Sequence, residues 1–114
     1  MKKRVRDWYF QKLVDTLSTS EIRFEQTPRV GKKIVQGYCQ FQPRHKKEWL
    51  IVIRNRPSYV NELYVLIHEG LHAIFPDWTE RDCWGEPVDL VARQLLFDFS
   101  TNQHKELLKF LPRR

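Results

Sequence analysis

The strongest constraint on this chain is an HExxH motif, residues 68–72, set in an apolar run that Pro76 ends. On an α-helix, positions four apart lie about 40° apart around the axis and roughly 6 Å along it, so the imidazoles of His68 and His72 can reach one metal ion. Glu69 lies beside them, where a carboxylate can hold and deprotonate a water molecule on that metal. The motif therefore predicts a single zinc ion, Zn2+, with His68 and His72 as ligands and Glu69 as the catalytic base.

Two histidines do not complete such a site, because a catalytic zinc usually has three protein ligands and leaves the fourth position to water. Pro87 begins a second amphipathic pattern, so Glu86 stands at a helix entrance that can return beside the histidines. Asp89 follows one turn further on the same side. We predict Glu86 as the third ligand and Asp89 as the acceptor of a hydrogen bond from a liganding imidazole. Glu80 is the first alternative ligand, and the others are Asp89, Cys83 and His104.

Hydrophobic periodicity predicts an α+β fold for the whole chain. The expected elements are a helix at 5–17, strands at 21–26, 35–42 and 48–54, the HExxH helix at 59–75 with Ser58 as its N-cap, a helix at 87–99 and a short helix at 102–110. The second and third strands most simply pair as an antiparallel hairpin, and we expect a small antiparallel three-stranded sheet. A length of 114 residues fits a single domain over residues 1–114.

The net charge and the length of the apolar runs indicate which partners and which cellular compartment to expect. The formal net charge is +6, and basic residues gather at 2–6, 44–47, 54–56 and 113–114. Charge runs at termini and turns are usually solvated, so nucleic-acid binding is possible but not favoured. No apolar run approaches the roughly 18 residues needed to cross a bilayer, and no signal-peptide core follows the start. We expect a cytoplasmic protein without a membrane partner, and the sequence leaves its oligomeric state open.

The order of these elements resembles a minimal zincin of the gluzincin type, and residues 68–77 resemble small predicted metallopeptidases encoded by phages and bacteria. The resemblance implies that His68 and His72 bind zinc, that Glu69 is the catalytic base and that an acidic residue of the next helix is the third ligand. It implies hydrolysis of a peptide or protein substrate, held extended along a sheet edge. The metzincin class is excluded, because its glycine and histidine positions hold Phe75 and Trp78.

Two points stay open at this stage. The oxyanion of the reaction could be stabilised by Tyr38, Tyr59, Tyr64 or an arginine. The alternative function, from another class, is a basic protein that binds nucleic acid or an acidic partner and whose metal site is structural or inactive.

Overall fold

The computed structural model of the protein describes residues 1–55, 58–77 and 87–112. Its elements in chain order are α1 (Lys3–Ser18), β1 (Ser20–Glu25), β2 (Arg29–Val30), β3 (Lys33–Ile34), β4 (Gly37–Phe41), β5 (Trp49–Arg54), α2 (Tyr59–Ile74), α3 (Pro87–Asp98) and α4 (Thr101–Leu108). The α+β class is confirmed, and the predicted helices and strands end within about two residues of the observed bounds, the usual uncertainty of such boundaries. The short β2–β3 hairpin was not predicted.

The main sheet has the strand order β1-β5-β4, with β5 in the centre. β4 and β5 form the predicted antiparallel hairpin, in which Gly37 pairs with Ile53. β1 runs parallel to β5, with Ser20 opposite Trp49, so the sheet is mixed and the expected antiparallel pairing was wrong for this strand. Alternating hydrophobicity fixes which face of a strand is buried but does not encode the direction of its neighbour. The central position of β5 follows from its continuous apolar run, which is buried on both faces.

α2 lies against the sheet and contacts α1, α3, β4 and β5. It begins where the side chain of Ser58 accepts a hydrogen bond from the backbone N–H of Asn61, as predicted for an N-cap. It ends before Pro76, because a proline disfavours helical geometry in the residue that precedes it. Leu66, Ile67 and Leu71 are fully buried, and each burial contributes about 1.5–3 kcal/mol relative to exposure.

Gly70 and its neighbours explain how closely α1 packs on α2. A Cβ atom at Gly70 would lie 2.8 Å from Cδ2 of Leu13 and 3.6 Å from Cδ2 of Leu17, both in α1. The glycine costs about 1 kcal/mol of helix propensity, and the close approach of α1 is the reason for it. No helix among residues 1–55, 58–77 and 87–112 has the length and apolar character needed to cross a membrane.

Gly37 sets the distance between β4 and α2. A Cβ atom there would lie 2.5 Å from Cγ1 of Val65 and 2.8 Å from the backbone oxygen of Val52, and 3.5 Å from Cγ of Glu69. The oxygen of Val52 belongs to the central strand and cannot move without disturbing the sheet. Gly37 therefore allows the carboxylate-bearing face of α2 to lie directly against the edge strand.

We expect Gly37→Ala to lower the free energy of unfolding by about 1–3 kcal/mol, the usual cost of overpacking. Urea denaturation followed by circular dichroism measures this, with Gln40→Ala on the exposed part of the same strand as the control. A loss at Gly37 no greater than at Gln40 would contradict the close packing of β4 on α2.

Candidate metal centre

Three side chains of α2 form a group that could hold a metal ion. One ligand atom from each of His68, Glu69 and His72 lies within 4.8 Å of the other two. The Nε2 atoms of His68 and His72 are 3.2 Å apart. Two nitrogen ligands of a tetrahedral zinc ion, each about 2.0–2.1 Å from the metal, would be separated by about 3.3 Å. The spacing of the two nitrogens is thus compatible with one such ion, and the same distance also suits a hydrogen bond between the rings.

Glu69 is buried, with only 3% of its surface exposed, and its carboxylate lies towards β4. Burial first, and the charge of Glu69 second, raise the pKa of the Cys39 thiol to about 12. Cys39 is therefore a neutral thiol at physiological pH rather than a thiolate ready to bind metal. Cys39 and Glu69 line the same cavity.

A hydrogen-bonded chain begins at the other ring nitrogen of His68. The hydroxyl of Tyr64 lies 3.4 Å from Nδ1 of His68 and donates its proton to Oδ1 of Asp89. Since that proton is committed to Asp89, the hydroxyl oxygen can accept the Nδ1 proton of His68. This tautomer leaves the lone pair of Nε2 directed towards His72, which is the state that a metal requires. The Nε atom of Arg93, 3.1 Å from Oδ2 of Asp89, holds the carboxylate in place.

Asp89 lies on the expected side of the site, but its contact with the histidine differs from the prediction. Its Oδ1 is 4.0 Å from Nδ1 of His68, too far for a direct hydrogen bond, and the hydroxyl of Tyr64 stands between them. The predicted ligand Glu86 and its alternatives Glu80 and Cys83 lie outside the described residues.

His104, another alternative ligand, is held elsewhere. Its Nε2 lies 2.9 Å from the carbonyl oxygen of Leu96, and its ring contacts that of Phe99. It does not belong to the metal-ligating group found among the described residues.

The three tyrosines that could stabilise an oxyanion occupy different places. Tyr64 lies beside His68, whereas Tyr59 is 64% exposed at the first position of α2. Tyr38 is opposite Val52 in the β4–β5 ladder and lines the largest cavity together with Glu69 and His72. Tyr64 thus contacts His68 directly, and Tyr38 shares a cavity with His72.

Three adjoining cavities form a trough between α2 and the β3–β4 segment. Their volumes are about 330, 210 and 490 Å³. The first two share Tyr64 and Val65, and the second and third share Gly37 and Glu69. His68 faces the middle cavity and His72 the largest one. The metal-binding group thus lies along the floor of a continuous depression, which we call the trough.

The edge of β4 that faces away from β5 borders the trough. The backbone N–H of Arg54 donates to the carbonyl oxygen of Gln36. Together with the register, this bond shows which residues of β4 bond to β5 and which do not. Gly37 and Cys39 fall at the positions between these bonds, so their backbone N–H and C=O groups point away from β5. Among the described residues no strand pairs with this side of β4.

Comparisons with protein-family models, with curated proteins and with solved structures gave no match for this chain. The functional assignment therefore depends on the chemistry and geometry of the site itself.

Proposed function

We propose that this protein is a zinc-dependent metallopeptidase that hydrolyses peptide bonds. The observation that supports this most strongly is the convergence of the two Nε2 atoms, 3.2 Å apart, next to a buried glutamate and an open strand edge. A zinc ion supplies Lewis acidity at such a site and lowers the pKa of the water that it binds towards about 7. The combination of a metal-binding pair, a base and a place for an extended chain is what peptide hydrolysis requires.

Glu69 is the general base of the proposed reaction. Its carboxylate takes a proton from the attacking water and passes it to the leaving amine. Because Glu69 is 3% exposed, bulk water screens its charge little, and the backbone of β4 fixes its position. Glu86 is proposed to complete the ligand set, since it precedes Pro87, the first residue of the helix that brings Asp89 beside His68.

The substrate is proposed to bind as an additional strand along β4. The outward backbone groups of Gly37 and Cys39 supply hydrogen bonds that do not depend on the substrate sequence. Side chains of the bound peptide would alternate between the trough and solvent. Pairing with β4 would orient the substrate and place the scissile bond next to Glu69.

Tyr64 is proposed to orient His68 for metal binding, with Asp89 acting through it. We expect Tyr64→Phe to weaken zinc binding about 10–100-fold, the usual effect of losing an outer partner of a liganding histidine. Competition with a chromophoric chelator measures the zinc dissociation constant. Tyr59→Phe, at the exposed start of the same helix, is the control. Equal zinc affinity in the two variants would remove Tyr64 from this role.

The proposed function is tested by cleavage of an unstructured protein. The zinc-loaded chain should cut it, a chelator should stop the reaction and added zinc should restore it. A fully zinc-loaded protein that leaves unstructured proteins intact, or cleavage that persists after the metal is removed, would contradict the proposal. The alternative of a basic binding protein stays a prediction, because no feature of the described residues favours it over hydrolysis.

A further inference from the structure

Among residues 1–55, 58–77 and 87–112, the accessible charged side chains that line the trough are basic. In the described part of the chain, the acidic residues that line it are Glu62 and Glu69, which are 1% and 3% exposed. The basic residues are Lys33, which is exposed at the largest cavity, and Arg54, which is half-buried at the opposite end. A peptide in the trough therefore meets cationic groups at both ends, while the anionic groups below are buried in the floor.

We propose that the trough selects acidic substrates, with an Asp or Glu side chain directed to Lys33 and a second one to Arg54, on opposite sides of the cleaved bond. This inference rests on the proposed peptidase function and adds the substrate class to it. The order of the cavities supports the arrangement, because Glu69 lines the cavity of Lys33 and the middle cavity, and the cavity of Arg54 adjoins the middle cavity through Tyr64 and Val65.

The cavity at Lys33 has room for an acidic side chain. Its volume is about 490 Å³, and apolar walls come from Val35, Trp49 and Pro76. These walls can cover the methylene groups of a glutamate, while the ammonium group of Lys33 meets the carboxylate. Gly37 and Cys39 line the same cavity, so a peptide paired with β4 would place a side chain there directly.

Arg54 is held in a defined position at the other end. Its Nε donates to the carbonyl oxygen of Gln26 at 3.1 Å, and a guanidinium group has further N–H donors that suit a carboxylate. The formal net charge of +6 adds a long-range attraction for acidic chains. Local recognition and overall charge thus favour the same class of substrate.

The test is the cleavage of an unbiased peptide library by the zinc-loaded protein, with the products identified by mass spectrometry. We expect Asp and Glu to be enriched on both sides of the cleaved bond in the wild type. Lys33→Glu should lower kcat/KM for the preferred acidic peptide about tenfold and enrich Lys or Arg at the matching position. Lys32→Glu makes the same change of charge at the adjacent exposed residue, which does not line the cavity, and should leave the preference unchanged.

The outcomes separate this inference from the function on which it rests. Cleavage without acidic enrichment, or equal effects of Lys33→Glu and Lys32→Glu, would overturn the acidic preference and leave the peptidase intact. No cleavage by the zinc-loaded wild type would overturn the proposed function and the preference together. If single-stranded DNA binds the trough at physiological salt and acidic peptides neither compete nor are cut, the cationic walls serve nucleic acid and the inference is wrong.

Discussion

Glu69→Gln is expected to lower kcat/KM for an unstructured substrate by about 10²–10⁴-fold while the protein keeps its zinc. The amide has nearly the same shape as the carboxylate and fits the same buried position beside Gly37. It cannot accept the proton of the attacking water, so the step that the base performs is lost. His68 and His72 are unchanged, and the metal should stay bound.

The assay compares zinc-loaded wild type, Glu69→Gln and Glu106→Gln, a matched change on the exposed face of α4. Zinc content and circular dichroism are measured on the same samples, which separates a chemical defect from loss of metal or fold. Wild-type rates from a zinc-loaded Glu69→Gln protein would remove Glu69 from the mechanism.

Glu86→Ala is expected to weaken zinc binding by more than the roughly 10–100-fold that an outer-partner change produces, because it removes a ligand. Asp89 lies in the first turn of α3 and its Oδ1 is 4.0 Å from Nδ1 of His68, so this helix begins close to the imidazole pair. Glu86 immediately precedes Pro87, the first residue of that helix. Its position in the chain therefore favours it over Glu80.

Zinc titration of Glu86→Ala and Glu80→Ala measures the difference, since both changes remove one carboxylate from the same stretch of sequence. A loss of affinity confined to Glu80→Ala would assign the third ligand to Glu80. Unchanged affinity in both variants would show that neither carboxylate binds the metal.

Local signals explain why the secondary structure was predictable. The period of apolar residues, the N-cap Ser58 and the terminating Pro76 each act within one turn of the helix that they define. The direction of β1 relative to β5 depends instead on the path of the chain between the two strands. That outcome is a property of the whole sheet and has no local signal.

The candidate site likewise has residues that local sequence signals predict and contacts that depend on the fold. His68, Glu69 and His72 could be predicted because the motif places them on one helix at fixed spacing. Tyr64 is four residues before His68, a spacing that signals contact on a helix, but its partner Asp89 depends on how α3 packs. Because that packing has no local sequence signal, we predicted a direct hydrogen bond from the histidine to Asp89 rather than a contact through Tyr64.

Lys33 and Gly37 carried no signal of a role in the site. The hairpin that places Lys33 at the cavity has only two residues in each strand, too short for a pattern of alternation. Gly37 lies in a strand where a glycine marks a bulge or a close approach without saying which. Both residues lie in the part of the chain between β1 and β5, and the fold places that part beside α2.

The central claim is that His68 and His72 hold one zinc ion, and the zinc content of the purified protein tests it most directly. After exposure to excess zinc and removal of unbound metal, the account predicts about one ion per chain, and a loss of that ion in His72→Ala. Less than about a tenth of an equivalent in the folded wild type, or an unchanged content in His72→Ala, would contradict it.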